Sequence, residues 1–242
     1  MRVANGVYVL PIPRGPQEPG SFLNLTLIVD EENGTTLVDA GLPDQTEAIT
    51  AALAEAGTSV RDLKRIIFTH QDLDHVGSGA ALVRQSGARV LAHRADAPYI
   101  EATLRPLKPS PEMLEQRPQM REVLERLEPV GVDEHLENGT RLELAGGTQV
   151  ISTPGHTPGH ISLYLERSRT LIAGDALTAE RGYLKSPNPL ATLDMRTAMQ
   201  SVRRLADLDI DIIICYHGGV VSEDADGQIR RVIRETTANG EE

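Results

Sequence analysis

A chain of 242 residues is long enough to bury one large α/β core, and its 40% hydrophobic and 24% charged residues are ordinary for a water-soluble globular protein. The net charge of −11 leaves no basic surplus to neutralise phosphates, so neither nucleic acid nor an anionic membrane surface is expected as a partner. A single cysteine excludes an internal disulfide and a cysteine-built zinc site. The N-terminal residues lack a charged-then-apolar leader, and no apolar run approaches the roughly 20 residues of a membrane helix. The expectation is a cytoplasmic protein that acts on a small molecule, compatible with a homodimer.

Strand-like and helix-like segments alternate along the chain. Residues 7–10 and 22–30 read as strands, and the Asn33-Gly34 turn leads into another at 35–39. Gly41-Leu42-Pro43-Asp44 opens a helix of about a dozen residues that ends near Gly57. Residues 64–69 form a short buried strand, and 88–92 another. Residues 98–129, rich in Pro, Leu and charge, interrupt the pattern as an insertion suited to a lid or pocket wall. Strands are then expected at 141–144, 149–153, 160–166 and 170–173. In the third of these, Ile161, Leu163 and Leu165 alternate with polar or amphipathic residues, the period of a half-buried strand. A helix at 194–207 places Met195, Met199, Val202 and Ala206 on one face. The apolar run 212–215 reads as a strand covered on both faces, and a helix over 226–237 closes the chain. Strands early and late in each half, with helices between, predict one α/β domain over 1–242. Its fold would be a four-layer αββα sandwich of two mixed sheets flanked by helices.

The residues that carry chemistry stand at strand ends. The run His70-Gln71-Asp72-Leu73-Asp74-His75 follows directly on the strand at 64–69. Its four ligand-type side chains cannot share one helix face, since each helical step turns about 100°, but they can converge in a loop. Read alone, the acidic residues could instead cap a helix beginning near Val76. Three further strand ends carry ligand types: His156 in Thr153-Pro154-Gly155-His156-Thr157-Pro158-Gly159-His160, Asp175 after Ala173-Gly174, and His217 after Tyr216. Loops at strand ends gather functional groups on a rigid scaffold.

In type, order and spacing these residues resemble the metallo-β-lactamase superfamily of binuclear metal hydrolases, from Val38-Asp39-Ala40-Gly41 to His217. The resemblance implies the αββα fold and two divalent metal ions, zinc first, with manganese or iron as alternatives. One ion would be held by His70, Asp72 and His156, the other by Asp74, His75 and His217, with Asp175 bridging. Asp74 would orient the nucleophile and pass a proton. Asp39 would orient a ligand, or else be a turn residue beside Gly41. His160 would play the same supporting part, or be an ordinary strand histidine. Tyr183, in the loop after Asp175, is a candidate substrate contact, and Phe22 is expected in the core.

One position departs from the family pattern. Asp72 stands where the family usually has its second motif histidine, and a carboxylate suits harder cations better than imidazole does. With Asp72, Asp74 and Asp175 ionised, two divalent ions and a bridging hydroxide leave the centre near neutrality, which lowers the acidity of the bound water. A more alkaline activity optimum and weaker zinc selectivity are therefore expected. The implied function is hydrolysis of an ester-like bond (lactone, thioester or carboxylic ester) by the bridging hydroxide. The alternatives are a mononuclear iron oxidoreductase acting on sulfur compounds and a phosphodiester hydrolase. No Gly-x-Ser-x-Gly elbow suggests a serine nucleophile.

Overall fold

The computed structural model describes residues 1–15, 18–109, 114–115 and 118–238. Two large mixed sheets pack face to face. The first has seven strands in sequence order, β1 (Arg2–Ala4), β2 (Val7–Pro13), β3 (Phe22–Asp30), β4 (Gly34–Val38), β5 (Leu63–Phe68), β6 (Arg89–His93) and β7 (Glu134–Leu136). The second runs in the order β15 (Gly219–Val221), β14 (Ile212–Cys215), β11 (Thr170–Gly174), β10 (Ile161–Leu165), β9 (Thr148–Ser152) and β8 (Arg141–Leu142). A small hairpin, β12 (Thr178–Glu180) and β13 (Tyr183–Lys185), stands apart.

Period-2 side-chain alternation sorts the apolar residues into three layers of core. Val7, Val9, Ile28, Val38 and Ile67 face Val150, Ile161, Leu163, Leu165, Ile172 and Ile214 between the sheets. On the outer face of the first sheet, Ile66 and Phe68 join Ile49 and Leu53 of α1 (Thr46–Glu55) and Leu82 of α3 (Gly79–Ser86). On the outer face of the second, Leu171, Ile213 and Cys215 pack on Met199, Val202 and Leu205 of α6 (Met195–Leu205) and on Ile229 and Val232 of α7 (Ala225–Ala238). The result is the expected αββα sandwich. The described residues also include the helices α2 (Leu73–Val76), α4 (Ala97–Ile100) and α5 (Pro118–Glu125). Part of the 98–129 insertion, residues 110–113 and 116–117, lies outside the described residues.

The strands that sequence periodicity missed are short: β1, β7, the β12–β13 hairpin and β15 have three residues each, too few to express a period. The strand expected at 141–144 stops at Leu142, because Ala145, Gly146 and Gly147 all take positive φ and turn the chain. Phe22 is not in the core; it opens β3 beyond the cover of the sandwich and is 43% exposed.

The topology explains where a site can form. β4 and β5 are parallel neighbours, as are β11 and β14, while β9 runs with β11 because each is antiparallel to β10. Five strands therefore deliver their C-terminal ends to one edge of the sandwich. The sheets are joined there by backbone hydrogen bonds, Ile161 N–H to Thr69 O at 2.9 Å and Asn24 N–H to Tyr216 O at 3.0 Å.

Candidate metal centre

Asp39 follows β4, His70 and Asp72 follow β5, and Asp74 and His75 lie on the single turn of α2. His156 follows β9, Asp175 follows β11, and His217 sits between β14 and β15. The structure brings seven of these side chains, all but Asp39, to one cleft. His70, His156 and Asp175 offer ligand atoms within 4.8 Å of one another, and so do Asp74, His75 and His217. Asp72 joins the first group through Oδ2, which stands 3.3 Å from His70 Nε2 and 3.0 Å from His156 Nε2. Asp175 lies between the groups: Oδ1 is 3.4 Å from His75 Nε2, and Oδ2 is 3.4 Å from both His156 Nε2 and His217 Nε2.

Three atoms of the cleft are buried and have no hydrogen-bond partner: His70 Nε2, His75 Nε2 and Asp175 Oδ1. Buried polar atoms of folded proteins are nearly always satisfied. Two imidazole nitrogens and a carboxylate oxygen, orphaned together and facing one another, form a donor set that divalent cations satisfy. The residues present fit two such ions.

The supporting contacts are specific. Asp39 takes φ +65°, a conformation Asp tolerates better than most residues, and this turns its carboxylate inward. It accepts Thr69 N–H at 2.8 Å and Thr69 Oγ1–H at 2.9 Å, and lies 2.9 Å from His75 Nδ1. That contact keeps a proton on His75 Nδ1, so Nε2, which faces the cleft, is the nitrogen that can give up its proton to a cation. His160, the second proposed supporter, has both ring nitrogens engaged, Nδ1 with Thr153 Oγ1 at 2.8 Å and Nε2 accepting the Asp175 N–H at 2.9 Å. It holds Asp175 by its backbone. A side chain on Gly174 would meet His160 Nε2 at 2.7 Å, so glycine is required where the strand turns into Asp175.

The charge state of the cleft without metal follows from these neighbours. Burial opposes a charge on His75, but Asp39 and Asp175 override it and raise its pKa well above the usual histidine value. Burial also opposes protonation of His217, and Asp175 and Asp74 lift it to about 9. His70 and His160 are pushed down, chiefly by burial and then by neighbouring imidazoles. Against its own desolvation, Asp74 is held at about 2 by His217 and His75.

Tyr183 is not brought to this cleft. It is 64% exposed on the β12–β13 hairpin and lines a hollow with Arg181, Glu223, Asp224, Gln228 and Arg231, none of them a ligand-type residue of the centre. The chain after Asp175 folds back as a hairpin, β12 paired with β13. Cys215 is fully buried in the outer core of the second sheet, and burial pushes its thiol pKa up.

Four residues that sequence reasoning passed over shape the site. Asp96 is buried and ties two ligand loops together: it accepts Gln71 N–H at 3.0 Å, Thr157 Oγ1–H at 2.6 Å and Gly159 N–H at 2.7 Å. In sequence it looks like an ordinary helix cap before Ala97-Pro98, yet its side chain makes no cap bond. Tyr216 stacks on His75 at a centroid distance of 3.8 Å and donates its hydroxyl to Asp74 O. Lys108 reaches in from the insertion, its Nζ 2.5 Å from Asp72 Oδ2 and 2.9 Å from His156 Nε2. Arg14, just after β2, stands 4.0 Å from Asp74 Oδ2. Only Tyr216, adjacent to His217, carried a positional signal.

With the geometry in place, the relatives are informative. Residues 20–217 match the family model of the metallo-beta-lactamase superfamily. The chain is 33% identical to a hydroxyacylglutathione hydrolase of Cereibacter sphaeroides over 78% of its length and 59% of the relative's. It is 26% identical to an N-acyl homoserine lactonase of Bacillus cereus over 78% and 79% of the two chains. A metallo-beta-lactamase family protein from Thermus thermophilus superimposes with a TM-score of 0.78 at 29% identity, covering 98% of this chain and 80% of the other. The chain belongs to the metallo-beta-lactamase superfamily and is one of its hydrolases.

Proposed function

We propose that the protein hydrolyses an ester-like bond (a lactone, a thioester or a carboxylic ester) at a centre of two divalent cations, zinc first among them. The observation that carries this reading is the set of orphaned buried atoms, His70 Nε2, His75 Nε2 and Asp175 Oδ1, facing one another across a cleft where four carboxylate-bearing or imidazole-bearing loops meet. His70, Asp72 and His156 would hold the first ion, and Asp74, His75 and His217 the second, with Asp175 standing between the two groups. The ions supply Lewis acidity toward a water and toward the scissile carbonyl. The protein does the rest. Asp74, its pKa held far below neutrality, stays ionised and orients the water, then relays its proton toward the leaving group. Asp39 and His160 fix the orientation of His75 and Asp175, so little reorganisation is needed as charge develops. The chain works as one domain, because β5 of the first sheet and β9, β11 and β14 of the second all contribute ligands and neither half holds the centre alone.

Relatives that act on a thioester and on a lactone, by their names, support the ester-like class. The test is metal analysis of protein purified without added metal, followed by a panel of aryl ester, thioester, lactone and phosphodiester substrates. Two equivalents of metal with ester or thioester turnover supports the reading. One equivalent of iron with oxygen uptake, or turnover confined to phosphodiesters, overturns it.

A further inference from the structure

Lys108 enters the cleft from the insertion, and what it touches there is the first corner of the centre, the His70/Asp72/His156 group. The strap that carries it is pinned from inside the ligand run, where Leu107 N–H donates to Gln71 Oε1 at 3.1 Å. Its ammonium has three donors and three acceptors: Asp72 Oδ2 at 2.5 Å, His156 Nε2 at 2.9 Å and Ala191 O at 2.7 Å. The contact with His156 uses the imidazole lone pair at Nε2. The ring can offer it because Nδ1 lies 3.3 Å from Thr192 Oγ1 and can place its proton there. Two of the three acceptors are therefore atoms through which the first ion would be bound. The lone pair of His156 Nε2 serves one partner at a time, and a divalent ion on Asp72 Oδ2 would face a like charge at contact distance. Lys108 in this position and a first-corner ion exclude one another.

The cation beside the second corner behaves differently. Arg14 pairs with Glu18 at 3.2 Å and stands 4.0 Å from Asp74 Oδ2, beyond hydrogen-bond reach, so it takes no ligand atom. Lys108 is also able to leave. Its side chain is 16% exposed and its ammonium rides on a flexible four-carbon stem, which lets the head turn to water while the strap stays pinned at Leu107. We propose that Lys108 is an internal plug of the first corner: its ammonium holds Asp72 and His156 until a divalent cation expels it. The insertion thereby makes completion of the binuclear centre, and with it hydrolysis, depend on the concentration of free metal. This rests on the binuclear hydrolytic reading above and adds the regulation of that site.

The test is cobalt(II) affinity, measured by competition with a chelator and read from the cobalt absorption bands, so it needs no substrate. His217→Ala leaves the first corner intact, and His70→Ala leaves the second. In the His217→Ala background, Lys108→Met should raise cobalt affinity about 10–100-fold, the worth of the charge-assisted hydrogen bonds the ammonium no longer has to surrender. Lys108→Gln, which keeps a donor for Ala191 O but carries no charge, should do the same. In the His70→Ala background the gain should be several times smaller, because there Lys108 acts only through charge at a distance. With the ligand set complete, Lys108→Met should lower the Tm of the metal-free protein, since Asp72 loses its partner, and enlarge the rise in Tm that cobalt gives. A purely structural lysine would lower both melts alike. Unchanged first-corner affinity in Lys108→Met and Lys108→Gln overturns the plug, as does an equal gain at both corners, and either result leaves the binuclear reading standing. Failure of wild type and Lys108→Met alike to bind cobalt removes the binuclear reading, and the plug with it.

Discussion

Asp96→Asn is the most informative substitution outside the ligand set, because it keeps the volume and changes only what the side chain can accept. Asp96 Oδ2 takes Gln71 N–H and Thr157 Oγ1–H, and Oδ1 takes Gly159 N–H. An asparagine has one carbonyl oxygen. Whichever way its amide turns, an N–H₂ faces a backbone N–H, that of Gly159 or that of Gln71. The two backbones are in close contact at Gly159, where an added Cβ would stand 2.5 Å from Asp96 N, so the mismatched amide has no room to be accommodated there. One buried backbone donor loses its acceptor, at a cost of about 1–3 kcal/mol, and the remaining bonds lose their charge assistance, together about 2–4 kcal/mol. For a chain of this size that lowers the Tm by about 5–15 °C. Thermal melts of the metal-free protein read this directly, and urea titration should move the midpoint with the slope unchanged. Because Asp96 clamps the loop carrying His70 and Asp72 to the loop carrying His156, zinc affinity in competition with a chelator should also fall, by about tenfold or more. A Tm within about 2 °C of wild type together with unchanged zinc affinity would refute the clamp.

Three further outcomes are expected. Asp39→Asn suits the backbone at φ +65° but presents an amide to His75 Nδ1–H, which favours the tautomer whose proton sits on the cleft-facing Nε2; affinity at the Asp74/His75/His217 corner should drop about 10–100-fold by chelator competition. Raised pKa values keep His75 and His217 protonated at pH 7 without metal, so loading that corner should release about two protons, measured by calorimetry in buffers of different ionisation enthalpy. The stabilisation that the raised His217 gives the metal-free protein is complete below the unfolded-state value of about 6.5 and is lost as pH rises through about 9, so its Tm should decline across that window. Asp72→His removes one negative charge from the centre and should move the pH–rate profile to lower pH and sharpen the preference for zinc over manganese; an unchanged profile and metal preference would show that Asp72 does not set them.

The layers and the meeting of the ligand-type residues were legible in sequence because both are written locally. The alternation of Ile161, Leu163 and Leu165 separates the inner face of β10 from Tyr164 on the outer face, and the structure places them in different cores. The ligand-type residues could be read from type and position, since each lies in a segment that follows a strand and histidines and carboxylates suit such a centre. What stayed hidden was long-range. Asp96 reads as a helix cap, Lys108 as one more charge in a polar insertion, and Arg14 as the end of a strand; each gains its role only from atoms more than 20 residues away in the chain, at Asp72, Asp74, His156 and Gly159. Tyr183 fails for the same reason in reverse: nearness in sequence to Asp175 did not survive the turn of the β12–β13 hairpin. The sequence alone determined which chemistry the strand ends can support, because hydrophobic period and ligand type are properties of neighbouring residues. The tertiary structure decided which charges surround that chemistry, because parallel pairing of β4 with β5 and of β11 with β14 brings distant loops to one edge, and no local pattern records which of them meet.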